Sequence, residues 1–75
     1  MSKQEHIELD GEIIEAGRGI FRVRCESERG DEHIVLAKLS GKMRKNRIRV
    51  VLGDKVTVNV SPYDASRGMI TFRKR

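Results

Sequence analysis

Between Ile7 and Phe72 the chain carries strand-like runs of apolar and polar residues with a period of two, on either side of one stretch where that pattern is lost. Ile7, Leu9, Gly11 and Ile13 alternate with Glu8, Asp10 and Glu12, the signature of a half-buried strand with an acidic outer face. At Ile14 and Ala16 the apolar phase shifts. A slip of one residue turns the following side chains to the other face, so a bulge or sharp coil is expected near Ile13-Ile14. Gly17-Arg18-Gly19 reads as the first turn. A second strand follows, with Phe21, Val23 and Cys25 inward and Arg22 and Arg24 outward. Glu26 to Glu32, centred on Gly30-Asp31, reads as a polar hairpin tip. The third strand, His33 to Leu39, carries Val35, Ala37 and Leu39 on one side and Ile34 and Leu36 on the other. Apolar residues on both faces predict a central strand covered in part by another element.

The break is Ser40-Gly41-Lys42-Met43-Arg44-Lys45-Asn46-Arg47-Ile48-Arg49, which holds five cationic residues and no acidic one. Ser40 suits the N-cap of a single helical turn over Gly41 to Asn46, which Asn46 can end in a left-handed conformation. Ile48 and Val50 then alternate with Arg47 and Arg49 in an extended exit. Leu52-Gly53-Asp54 turns the chain into a fourth strand, where Val56, Val58 and Val60 alternate with Thr57, Asn59 and Ser61. Ser61-Pro62-Tyr63-Asp64 fits a turn with Pro at its second position, and Ser66-Arg67-Gly68 is expected to end that loop. Ile70 and Phe72 mark a fifth strand, both by phase in the core, running into the basic end Arg73-Lys74-Arg75. Five short strands with one helical turn between the third and fourth predict an all-β protein with the OB-fold, a five-stranded Greek-key barrel. Residues 1–6 read as a loose polar N-terminus, and residues 7–75 as a single OB-fold, RNA-binding domain. A β-sandwich would need more strands than 75 residues readily supply.

Charge sharpens this picture. The net charge is +5, but residues 1–37 carry −4 and residues 38–75 carry +9. Such a split between halves points to an anionic partner, nucleic acid above all. Cys25 is the only cysteine, so no intramolecular disulfide forms and nothing argues for secretion. No apolar run reaches the ~20 residues of a membrane span, and Met1 to His6 lacks the apolar centre of a signal peptide. A cytoplasmic protein with no membrane partner is expected.

Enzyme motifs fail one after another. Gly41-Lys42 lacks the first glycine of a phosphate-binding loop, where Leu36 stands, and Met43 follows instead of Ser or Thr. Gly17-Arg18-Gly19 stops short of a dinucleotide fingerprint, because Arg22 replaces its third glycine. His6, His33 and Cys25 are too few and too scattered for a zinc site. Cys25, inward on a strand, reads as a small core residue, and His33 as a solvated or rim side chain, with phosphate contact the lesser alternative. Glu8, Asp10 and Glu12 read as a solvated face. No catalytic group, cofactor or metal is expected.

Binding is better supported. The cations from Lys42 to Arg49 lack local counter-charges and suit RNA phosphates. Met43 among them is either packed onto the barrel or an apolar contact to a base. Phe21, Tyr63 and Phe72 are the only aromatics, and Tyr63 alone is expected to reach solvent. So few stacking platforms favour the shape of folded RNA over loose single strands. The candidate RNA contacts are Arg18, Lys38, Lys42, Met43, Arg44, Lys45, Arg47, Arg49, Tyr63, Arg67 and Arg73.

Ser40 to Asn46, then Ile48-Arg49 and Gly53 to Val58, closely resemble bacterial translation initiation factor one. The likeness continues through Pro62-Tyr63-Asp64, Gly68, Ile70 and Phe72-Arg73, and upstream through Ile7-Glu8, Gly11 and Phe21-Arg22-Val23. It implies an OB-fold factor, monomeric, that binds the decoding A site of the small ribosomal subunit between ribosomal RNA and a ribosomal protein. There it blocks premature binding of tRNA and assists the other two initiation factors. By position, Lys42, Arg44, Lys45 and Arg49 match the family's basic segment, and Arg73 its basic end. Gly17-Arg18-Gly19 takes the place of the hairpin loop that enters the decoding helix. Arg47 stands where the family pattern has Tyr, and Lys38 replaces a His. The first loop is one residue shorter, and the second hairpin about two longer. The competing reading is a general RNA chaperone of the cold-shock type, which the shortage of rings argues against.

Overall fold

The computed structural model describes residues 7–26 and 30–74. The expected loose N-terminus, part of the polar hairpin tip and Arg75 lie outside them. Strands β1 (Ile7–Ala16), β2 (Phe21–Glu26) and β3 (Glu32–Leu39) lead to helix α1 (Gly41–Lys45), and then to β4 (Lys55–Ser61) and β5 (Asp64–Lys74). The strands close into a barrel in the order β1-β2-β3-β5-β4, the OB-fold. All neighbours are antiparallel except β3 and β5, which pair in parallel from Leu36–Arg67 to Leu39–Ile70.

β1 serves both sides of the barrel because it is bulged. Its first half pairs with β4 from Ile7–Val60 to Glu12–Lys55. Its second half pairs with β2, with a register shift between Ile13 and Glu15, where the apolar phase breaks in the sequence. Past Glu12 the gap between β1 and β4 is bridged by the Ile13 amide to Asp54 O (2.9 Å) and the Gly53 amide to Ile13 O (2.8 Å). The interior is lined by Ile13, Val23, Cys25, Val35 and Ile70 with all three β4 valines. Fully burying such side chains contributes roughly 1.5–3 kcal/mol each, and β4 supplies them in strict alternation.

Three expectations need correction. In a closed barrel every strand has two neighbours and β3 is no more central than the rest; no described element covers its outer face, and Leu36 remains 42% exposed. Leu36 and Ile34 instead lie opposite Arg22 and Arg24 of β2, whose aliphatic stems can lie along apolar neighbours. The loop after Ser61 does not run to Gly68, because Ser61 already pairs with Asp64 and β5 begins there. Asp64 stabilises the polar start of β5 by accepting from the Ser66 amide (3.2 Å) and hydroxyl (2.6 Å). Gly68 then passes so close to β4 that a β-carbon would stand 2.6 Å from Asn59 O, so the strand needs glycine there.

Phe72 is the third correction: it is 59% exposed rather than in the core. The β4–β5 register shifts between Thr57, opposite Phe72, and Val58, opposite Ile70. The extra residue, Thr71, turns the chain after buried Ile70 and sends Phe72 outward.

Candidate nucleic-acid interface

The cationic segment is held at four points and exposed between them. Its start is pinned by the Ser40 amide donating to Ile70 O of β5 (2.9 Å). Ser40 also caps α1, its Oγ accepting from the Met43 amide (3.2 Å), which satisfies a helix donor that has no intrahelical partner. Met43 faces the barrel and is 3% exposed. It is a core residue, and the expectation that it touches RNA is withdrawn: on a five-residue helix, the one large apolar side chain is what seats the helix. Farther on, Ile48 packs against the core and Val50 is buried within it.

The end of α1 differs from expectation. Asn46 has φ −88°, and the left-handed residue is Arg47, with φ +57°. The Ile48 amide donates to Met43 O (2.9 Å) and the Arg47 amide to Arg44 O (3.1 Å). These two bonds form a Schellman cap, which puts the left-handed residue just past the cap residue and the next apolar side chain over the helix. Burial of Ile48 beside Met43 therefore fixes the position, and it falls on Arg47. A β-carbon in that conformation costs roughly 1–2 kcal/mol.

Between these anchors Lys42, Arg44, Lys45, Arg47 and Arg49 are exposed. None of the five side chains has an ion pair or hydrogen bond among the described residues. Arg73 joins them: its Nη1 donates to Arg49 O (2.7 Å), tying the end of β5 to the segment. The acidic outer face of β1 is the opposite case. Glu15 pairs with Arg22 (3.3 Å), Glu12 with Arg24 (3.3 Å) and Lys55 (3.6 Å), and Asp10 with Lys74 (2.7 Å). Hydrogen bonds from Lys74 and Thr57 hold the Asp10 carboxyl below the usual carboxylate range.

The remaining candidates are dispersed. Lys38 and Arg67 line a groove of about 350 Å³ with Ile20, Leu36 and Gly68. It lies across β3 between the turn that holds Arg18 and the start of β5, the side of an OB barrel where ligands bind. Tyr63, 96% exposed, sits at the tip of the β4–β5 hairpin, at the other end of β5 from α1. Phe72 is a further exposed ring, leaving the barrel one residue before Arg73. Alternation gives no warning of it, because the bulge is set by pairing with β4. His33 is half-buried, its Nε2 donating to Ala65 O (2.7 Å), and so serves the barrel rather than the rim. Cys25 is buried, and burial pushes its thiol up to about 11. Among the described residues no group of three His, Cys, Asp or Glu side chains is placed to hold a metal ion, and no helix is long and apolar enough to cross a membrane.

Comparison with known proteins agrees with this geometry. The family model for translation initiation factor 1A / IF-1 matches residues 2–75. Translation initiation factor IF-1 of Solibacter usitatus (strain Ellin6076) is 51% identical over 76 residues, covering the whole of both chains. The solution structure of the same initiation factor from the Wolbachia endosymbiont strain TRS of Brugia malayi superposes with a TM-score of 0.71 at 33% identity, over 93% of this chain and 79% of that one. The crystal structure of YloQ, a circularly permuted GTPase, gives a TM-score of 0.76 at 28% identity; it matches 92% of this chain, which spans only 23% of YloQ.

Proposed function

The chain belongs to the translation initiation factor 1A / IF-1 family, and from that premise we propose that it acts by occupying the decoding A site of the small ribosomal subunit. Lys42, Arg44, Lys45, Arg47 and Arg49 neutralise ribosomal RNA phosphates, with Arg73 at their side, Lys38 and Arg67 along the groove, and Arg18 on the β1–β2 turn. Filling the site keeps tRNA from binding there too early and supports the other initiation factors. The action is steric and electrostatic, not catalytic. One observation carries this reading: five exposed cations, on a segment anchored at both ends, have no partner among the described residues of their own chain. A folding role would have matched them with carboxylates, as the β1 face does.

The test is chemical footprinting of small-subunit RNA with and without the protein. Protection confined to the decoding region is expected, and unchanged reactivity of those bases at low salt overturns the reading. The cold-shock-like alternative gains from exposed Phe72, a second ring beside Tyr63 for stacking single strands. It predicts that an unstructured oligonucleotide binds as tightly as the subunit, whereas A-site occupancy predicts a clear preference for the subunit.

A further inference from the structure

Arg47 is the only non-glycine residue with positive φ among the described residues. The cap that forces it there would be satisfied without strain by glycine, and nearly so by asparagine. Strain retained in a fold calls for a compensating role, and among the described residues the Arg47 side chain has no partner that supplies one. Its guanidinium meets no carboxylate, carbonyl or hydroxyl among the described residues, and its side chain is exposed. What the backbone does supply is rigidity. The residue before it is tied into α1 by the Asn46 amide to Lys42 O (3.0 Å), its own amide is bonded to Arg44 O, and Ile48 after it is bonded to Met43 O and packed on the core. Arg44 and Lys45 extend from the helix itself. Arg47 leaves it at the point where the backbone turns left-handed.

We propose that Arg47 is the orienting contact of the cationic segment, its planar guanidinium gripping one phosphate of folded RNA through two parallel hydrogen bonds, while Lys42, Arg44, Lys45 and Arg49 act as counted charges. This rests on the functional reading above and deepens it. A fork of fixed geometry is worth building on a rigid stem, because a bidentate grip needs direction as well as charge. A lysine at the same place would keep the charge and lose the fork.

The experiment measures small-subunit binding of the full chain across a salt series for wild type, Arg47→Lys and Arg44→Lys, with thermal unfolding of Arg47→Gly and Arg47→Gln. Arg47→Lys is expected to bind about tenfold more weakly at every salt concentration with the slope unchanged, since the slope counts charges. Arg44→Lys should change affinity less than about threefold. Arg47→Gly should melt about 4–8 °C above Arg47→Gln, the strain being relieved in one and kept in the other. If Arg47→Lys binds like wild type, or loses no more than Arg44→Lys, the fork is overturned while A-site occupancy stands. If Arg47→Gly melts no higher than Arg47→Gln, the strain argument beneath the proposal fails. A wild-type protein that does not bind subunits overturns the functional reading itself.

Discussion

The outer face of β1 and the segment from Lys42 to Arg49 are both dense in charge, and they use it in opposite ways. On β1, carboxylates of one strand meet cations of its neighbours: Glu12 between Arg24 and Lys55, Asp10 against Lys74, Glu15 against Arg22. These pairs are exposed, and each is worth little to stability. Their effect is to cancel field, leaving a face that neither attracts nor strongly repels a polyanion. Along the α1 segment the chain does the reverse. It spends Met43, Ile48 and Val50 on anchoring and leaves each cation to project alone. Like charges so close oppose one another, a cost the fold bears through the cap at Ser40 and the hydrogen bond from Arg73 to Arg49 O. Pairing cancels a surface's field, and the lack of it leaves a field that attracts anions.

Charge reversal breaks this comparison most directly. Arg44→Glu with Arg49→Glu is expected to weaken small-subunit binding by about a thousandfold or more at low salt, because two contacts are lost and two repulsions gained. Reversing Arg24 and Lys55 on the β1 face should change binding less than about fivefold, since those cations are already matched. Co-sedimentation of both double variants checks this, and equal losses would erase the distinction between the two faces.

Next in size is Met43→Ala. Removing a side chain that is 3% exposed should cost about 2–4 kcal/mol, read as a fall in urea midpoint. At urea-free, fully folded conditions the variant should keep the salt slope of wild type, because no charge has changed. A lower slope with unaltered stability would return Met43 to the contact surface.

Ser40→Ala should cost about 1 kcal/mol and fray the start of α1. Its effect on binding should be a modest loss that low-salt buffer partly restores, since disorder spreads the charges without removing them. A loss as deep as that of the double reversal would mean the helix itself, not its cations, is recognised.

Acid gives the smallest effect, and it acts on the paired face through Asp10 and on the start of β5 through Asp64, whose carboxyl the Ser66 hydrogen bonds also hold below its usual value. The Asp10 carboxyl is held below its usual value by Lys74 and Thr57. A lowered folded value means its contribution is present above the unfolded value near 3.8 and is lost as pH falls through the folded one. Asp10→Asn should flatten stability against pH in that window and nowhere else. The opposite sign holds for Cys25, whose thiol is raised from 9.0 to about 11. Stability should decline as pH climbs between those values, because the unfolded thiol ionises first.

Much of this molecule is legible along the chain. Strict alternation in β4, the inward phase of β2 and the broken phase of β1 announce a small coiled barrel. The Ser40 cap announces the helix, and the acid-free run after it announces the exposed cationic segment. These signals are local, since burial acts on side-chain periodicity and capping acts within one turn. Where the sequence reading failed, a neighbour made the decision. Ser66-Arg67-Gly68 looks like loop and is strand, because Ser61 pairs with Asp64 and β5 lies between β3 and β4. Phe72 looks like core and is surface, because register with Thr57 inserts Thr71 as an extra residue.

The helix end shows the division most clearly. Sequence alone set the presence of a capped turn and the number of positive charges on it. Only the tertiary structure chose Arg47 rather than Asn46 for the left-handed position, since the choice depends on Ile48 reaching the core behind Met43. Which cations stand without partners was likewise settled only when β1 met β2, β4 and β5 and took up Arg22, Arg24, Lys55 and Lys74. A chain carries its charges in one dimension, but neutralisation happens between strands, over a few ångströms of space.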